Sequence, residues 1–231
     1  MCLLVLRRGT CHFPAWTLLR QPEVRSLGTS VSVKEYYDAR APEYDDWFLG
    51  TGVFAARDRP GWDAAVLLLE RDLAALPPRR TLDVACGTGF LTRHLPGQVV
   101  ALDQSERMLE ITAERLPGAA RVQGDALAQL PFEDDRFERV FTSHFYGHLQ
   151  DDERERFLAE AFRVAPQLVV VDSATRPDQA PSQWETRTLN DGSSFEVYKR
   201  RFDAESLAAE LGRPGIVFHE TDWFVGVVAE R

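Results

Sequence analysis

The chain has 231 residues, enough for one well-buried domain, and its 44% hydrophobic content is that of an ordinary globular protein. The formal charge of −9 is unevenly spread: the first thirty residues carry +3, from Arg7, Arg8, Arg20 and Arg25 against Glu23, so the remainder carries −12. An acidic body argues against a nucleic-acid partner, no apolar run approaches the roughly 20 residues of a membrane span, and the odd set Cys2, Cys11 and Cys86 gives no disulfide framework and fits a reducing, cytoplasmic compartment.

Residues 1–32 are arginine-containing and acid-poor, as transit peptides are, yet Pro14 and Pro22 interrupt any amphipathic helix and the arginines follow the apolar patch, unlike a secretory signal. This segment is expected to be a leader, disordered or outside the fold, with residues 33–231 forming one domain. Residues 33–60 read as an N-terminal cap of one or two short helices carrying Tyr36, Tyr37, Tyr44 and Trp47, ended by Gly50, Gly52, Pro60 and Gly61. Trp62 to Leu76 has apolar residues at helical spacing, with Pro77-Pro78 as a stop. Strands are then expected at Thr81–Ala85, Val99–Asp103, Arg121–Gly124, Arg139–Ser143 and Leu168–Asp172, alternating with helices at Phe90–His94, Ser105–Leu116 and Asp151–Arg163. That alternation predicts a parallel sheet, and the Val, Leu and Phe content of the strands predicts burial on both faces.

Residues 173–202 are too long for a simple connection, which marks them as functional or disordered; within them Lys199-Arg200-Arg201 reads as a solvated basic face. A helix at Ala204–Leu211 precedes two consecutive strand-like runs, Ile216–Trp223 and Phe224–Glu230, which predict a terminal β-hairpin. No internal repeat is present.

The chemistry concentrates at the carboxyl ends of these strands, where a doubly wound sheet binds its ligands. Leu82 to Phe90 is an apolar strand breaking into a small-residue turn, and Gly87 and Gly89 let a ligand approach backbone N–H groups at a helix N-terminus. Asp83 closes the first strand, Asp103 ends the second, and Asp125 follows the third. An acid at the end of the second strand has two acceptor oxygens for two ribose hydroxyls.

These residues resemble a known family. Asp83-Val84-Ala85-Cys86-Gly87-Thr88-Gly89 is similar to the glycine-rich first motif of the class I S-adenosylmethionine-dependent methyltransferases, with Ala85 where the first glycine often stands. Leu102-Asp103-Gln104-Ser105 through Met108-Leu109 is similar to their second motif. The resemblance covers most of Val33 to Arg231 and points to the small-molecule branch. It implies a doubly wound, mostly parallel seven-stranded sheet with a C-terminal antiparallel hairpin, S-adenosyl-L-methionine as cofactor, and a small-molecule methyl acceptor; no metal site is expected. It further implies that Asp83, Ala85, Gly87 and Gly89 form the cofactor turn, with Gly87 against the methionine portion. Asp103 would bind the ribose, Gln104 and Met108 line the adenosine site, and Asp125 with Ala126 contact the adenine.

Tyr36 and its neighbouring aromatics form either a lid over the cofactor or plain packing, and Arg40 either pairs with the cofactor carboxylate or is solvated. The resemblance places residues 173–202 over the substrate and Ser143 to Leu149 between cofactor and acceptor. There His144 is either a general base, since imidazole titrates near neutral pH, or a structural hydrogen-bonding partner of backbone. His148 is expected to face the following helix, and Cys86 to be a packing residue. Two other functions stay open. Gly87-Thr88-Gly89 partly fits a dinucleotide fingerprint, so an NAD(P)-dependent oxidoreductase is conceivable, although Thr92 replaces its third small residue. A non-catalytic cofactor-binding sensor or scaffold is the other.

Overall fold

The computed structural model describes residues 33–212 and 215–231, together with the backbone of residues 24–26 and 30–31. The strands and helices run in the order β1 (Val24–Ser26), β2 (Ser30–Val31), α1 (Val33–Arg40), α2 (Asp46–Leu49), α3 (Trp62–Ala74), β3 (Thr81–Val84), β4 (Val99–Asp103), α4 (Glu106–Arg115), β5 (Ala120–Gln123), β6 (Arg139–Ser143), α5 (Asp151–Val164), β7 (Gln167–Ser173), β8 (Ser182–Thr188), β9 (Ser194–Arg200), α6 (Ala204–Glu210), β10 (Ile216–Glu220) and β11 (Phe224–Glu230). Seven of the strands form one sheet in the order β10-β11-β7-β6-β3-β4-β5.

Alternating side chains along each central strand bury opposite faces of this sheet. Leu168 and Val170 of β7 pack with Phe157 and Ala161 of α5, while Val169 and Val171 pack with Leu69 and Leu73 of α3. All four strand residues are fully buried. The β3–β4, β4–β5, β3–β6 and β6–β7 pairs are parallel, whereas β11 is antiparallel to both β7 and β10. The doubly wound sheet closed by a C-terminal hairpin is therefore present as expected. Strand order reverses at β3, between β4 and β6, and this switch point places a crevice beyond the carboxyl ends of those three strands.

Three features differ from the sequence reading. The segment expected as a helix at Phe90–His94 makes only a single 3₁₀ turn at Thr92–His94, ended by Leu95, which is extended at ψ 124° as the residue before Pro96 prefers. The long stretch after β7 holds the β8–β9 hairpin, which turns at Gly192 with φ +87°. Together with β1 and β2 it forms a second, antiparallel sheet in the order β2-β1-β9-β8. The backbone of Val24–Ser26 pairs with β9, so part of the expected leader joins the fold; residues 1–23, 27–29 and 32 lie outside the described residues. Among the described residues no helix is long and apolar enough to cross a membrane.

Candidate active site

The turn after β3 is held in left-handed backbone conformations at Ala85 (φ +60°), Gly87 (φ +55°) and Gly89 (φ +72°). For Ala85, which has a Cβ, this conformation costs about 1–2 kcal/mol, a strain of the kind that marks functional turns. It directs the Gly87 N–H onto Asp103 Oδ2 at 2.9 Å, while the Ser105 N–H donates to Asp103 Oδ1 at 2.9 Å. Ser105 also caps α4, its Oγ accepting from the Met108 N–H. Burial pushes Asp103 up to about 6 despite these backbone hydrogen bonds.

Ala85, Gly87, Asp103, Gln104, Met108, Asp125, Ala126 and His144 line one cleft of about 1000 Å³, open in part to solvent. Tyr37 and Tyr44 close it from the N-terminal segment, and Trp184 and Tyr198 from the hairpin. Asp125 is oriented by accepting from the Leu127 N–H at 2.8 Å.

Asp83, Gly89 and Tyr36 do not line this cleft. Asp83 is wholly buried within β3, where its Oδ2 accepts from Thr92 Oγ1 at 2.5 Å and its Oδ1 has no hydrogen-bond partner among the described residues; burial pushes it up to about 8. A Cβ at Gly89 would lie 3.2 Å from Leu116, so that glycine serves the approach of the end of α4 to the turn. Tyr36 packs on Phe195 of β9 at a centroid distance of 5.0 Å, and its hydroxyl accepts from Arg40 Nη1 at 2.8 Å. The helical rotation of about 100° per residue gives the cleft wall to Tyr37 instead.

His144 follows β6 with φ +53° and is 9% exposed. Its ring lies edge-on to Trp47, Phe48 and Phe224 at 4.7, 5.7 and 5.6 Å. Among the described residues neither ring nitrogen has a hydrogen-bond partner, although Nδ1 stands 3.9 Å from Asp172 Oδ1, so the backbone bond of the structural reading is not made. Burial pushes its pKa down to about 3, with Lys199 and Arg187 working against the favourable Asp172 carboxylate. His148 faces the hairpin and not the following helix, its Nδ1 donating to the Tyr198 carbonyl at 2.6 Å. Cys86 is free and buried, and burial pushes its thiol well up, which suits a packing role.

Lys199, expected in a solvated basic run, is buried in an ion pair with Asp172. The two-residue period of β9 turns it inward with Phe195 and Val197, while Arg200 reaches Glu210 at 2.6 Å. Arg40 is 8% exposed, over the Tyr44 ring at 5.3 Å, and so is not solvated. Asp172 was the position that sequence reasoning missed. It is fully buried and accepts from the Gly147 N–H at 2.7 Å; burial pushes its pKa up, but Lys199 with His144 and His148 together hold it below the usual carboxylate range. Its signal was an acid near the end of an apolar strand, the same signal that marks Asp103.

Residues 81–167 match the methyltransferase-domain family. A demethylmenaquinone methyltransferase from Thermobifida fusca is 30% identical over 206 residues, covering 80% of this chain and 82% of that protein. The chain belongs to the class I S-adenosylmethionine-dependent methyltransferases. The DhpI–SAH complex shares 30% identity with this chain at a TM-score of 0.66, covering 84% of this chain and 92% of the other. The chain spans about half the length of some curated relatives it matches, 53% in the case of the demethylmenaquinone methyltransferase from Renibacterium salmoninarum, at 35% identity over 57% of this chain. Within the methyltransferase fold, the hairpin β10–β11 and the turn after β3 carry the resemblance from separate parts of the chain, and the dinucleotide reading of Gly87-Thr88-Gly89 is set aside.

Proposed function

We propose that this chain transfers the methyl group of S-adenosylmethionine to a small-molecule acceptor in the cleft between Asp103 and His144. Asp103 carries the reading. Each of its carboxylate oxygens accepts one backbone N–H and retains further acceptor capacity, which suits a pair of ribose hydroxyls. The remaining donor set suits the rest of a nucleoside sulfonium: Met108 and Ala126 offer an apolar slot for adenine, with Asp125 at its edge and Gln104 beside the ribose. Ala85 and Gly87 run along the methionine portion.

When bound, S-adenosylmethionine supplies an electrophilic methyl group on a positively charged sulfur. The chain's part is positioning. Tyr37 and Tyr44 cover the cleft and exclude water, and aromatic faces near a sulfonium contribute about 0.5–2 kcal/mol. Holding acceptor and methyl group in line at contact distance removes much of the entropic barrier. His144, fixed by its aromatic box and uncharged at neutral pH, offers an N–H to orient the acceptor. The buried free thiol of Cys86 suits the reducing cytoplasm we assign to the protein.

Isothermal titration with S-adenosylhomocysteine tests the reading. The protein binds it, and Asp103→Ala weakens binding about 10- to 100-fold, the worth of hydrogen bonds to a charged acceptor. Equal affinity in wild type and variant, or no binding by folded protein, contradicts it.

A further inference from the structure

Next to His144 lies a second cavity of about 450 Å³, and next to that a third of about 970 Å³ that shares Trp47, Ser173, Arg187 and Lys199 with it. The second cavity is walled by Arg40, Arg187, Lys199 and both His144 and His148, with no acidic side chain in its lining. The third adds Arg57, Arg59, Arg176 and Arg201 against only Asp58 and Glu185. A chain of net charge −9 thus sets seven of its 27 lysines and arginines around one passage.

Part of this charge is already answered. Lys199 pairs with Asp172, and Arg187 with Glu185 at 2.6 Å. Arg40 has only the Tyr36 hydroxyl and aromatic rings as partners among the described residues. Arg40 Nε, Arg187 Nε and both His144 ring nitrogens are buried with no hydrogen-bond partner among the described residues, the nearest carboxylate to His144 being Asp172, whose Oδ1 stands 3.9 Å from Nδ1. Each such group costs about 1–3 kcal/mol if left unpaired, so several donors at the inner cavity await one acceptor-rich ligand.

We propose that the methyl acceptor is a small organic oxyanion, a carboxylate or a phosphoryl group ionised at neutral pH, seated by Arg40 and Arg187 beside His144 and methylated on oxygen. This rests on the methyl-transfer reading above. An oxygen lone pair forms the new O–CH3 bond as the C–S bond breaks, and the bond pair stays on sulfur, leaving a neutral thioether. The anionic charge and the sulfonium charge cancel, so no proton has to leave and no base is required. That removes the difficulty His144 would face as a base, since a buried imidazole that resists protonation gains little from general-base catalysis at neutral pH. Arginine forks hold the non-reacting oxygens in fixed geometry and leave one oxygen free toward the cofactor.

Titration of the full chain, with and without S-adenosylhomocysteine, by propionate, methylphosphonate and the neutral propionamide tests the proposal. At least one acid binds about tenfold more tightly than the amide, and Arg187→Gln weakens that acid about tenfold while S-adenosylhomocysteine affinity is unchanged. This variant leaves Glu185 its pair with Arg201, which protects the fold. Preference for propionate identifies a planar carboxylate and preference for methylphosphonate a tetrahedral group; either supports the seat. Amide binding equal to that of both acids, or acid affinity unchanged in Arg187→Gln, overturns it. Failure to bind S-adenosylhomocysteine overturns the methyl-transfer reading instead, and the cofactor-free titration still reads the anion seat.

Discussion

Asp83 and Asp103 stand at the ends of adjacent strands and look alike in the sequence, yet their surroundings separate them. Asp103 faces the cleft and is held by two backbone N–H groups, whereas Asp83 is sealed beneath the turn with Thr92 as its partner. Asp83 keeps its proton in the native state up to about pH 8, while the unfolded chain releases it near about 4. Between those values the native state binds more protons, so stability falls as pH rises. Asp83→Asn is expected to flatten that decline in urea melts between pH 5 and pH 8; a slope equal to wild type would refute the assignment. Asp103 gives the opposite dependence in binding. Ribose hydroxyls donate best to its ionised form, so S-adenosylhomocysteine affinity is level above neutrality and drops as pH falls through about 6, measurable by titration across that range. Strand position made Asp103 legible from sequence alone. It could not distinguish Asp83 from a cleft residue, or Tyr36 from Tyr37, because that depends on which way a side chain leaves the backbone after three-dimensional packing.

Among the elements, the parallel strands and their helices were readable because apolar runs and capping residues coincide, as at Ser105 before α4. The β8–β9 hairpin was not. Ser182 to Thr188 is polar but for Trp184, with little of the two-residue apolar alternation that marks a strand, and its partner β9 hides a lysine on the inward face. What holds the hairpin over the cleft is tertiary. Gly147 lies so close to β9 that a Cβ there would stand 2.5 Å from the Arg200 carbonyl oxygen. Its N–H also donates to Asp172, the partner of Lys199. Gly147→Ala is therefore expected to push β9 outward, loosen the Lys199–Asp172 pair and destabilise the protein by about 1–3 kcal/mol, read as a lowered thermal midpoint. An unchanged midpoint would show that β9 is free to move.

At the scale of the molecule, two sheets divide the work. The seven-stranded sheet lines the cleft with the carboxyl ends of β3, β4 and β5, where we propose the cofactor binds, and the antiparallel sheet brings Arg187, Lys199 and Tyr198 to the proposed acceptor side. His144 stands where the two meet, at a strained residue after β6. The first half of this arrangement follows from the turn after β3 and the acid that ends β4, both legible in the sequence, while the second depends on a hairpin whose residues acquire meaning only when folded against α1. Methyl transfer to a small acid, as proposed above, needs both halves. Its most direct test is incubation of the full chain with S-adenosylmethionine bearing an isotopically labelled methyl group and a panel of small carboxylates and phosphonates, followed by mass spectrometry. A labelled methyl ester is expected, with S-adenosylhomocysteine formed in equal amount and production reduced in Arg187→Gln. Labelled methyl appearing only on neutral amines or alcohols, or no transfer by protein that binds S-adenosylmethionine, would contradict it.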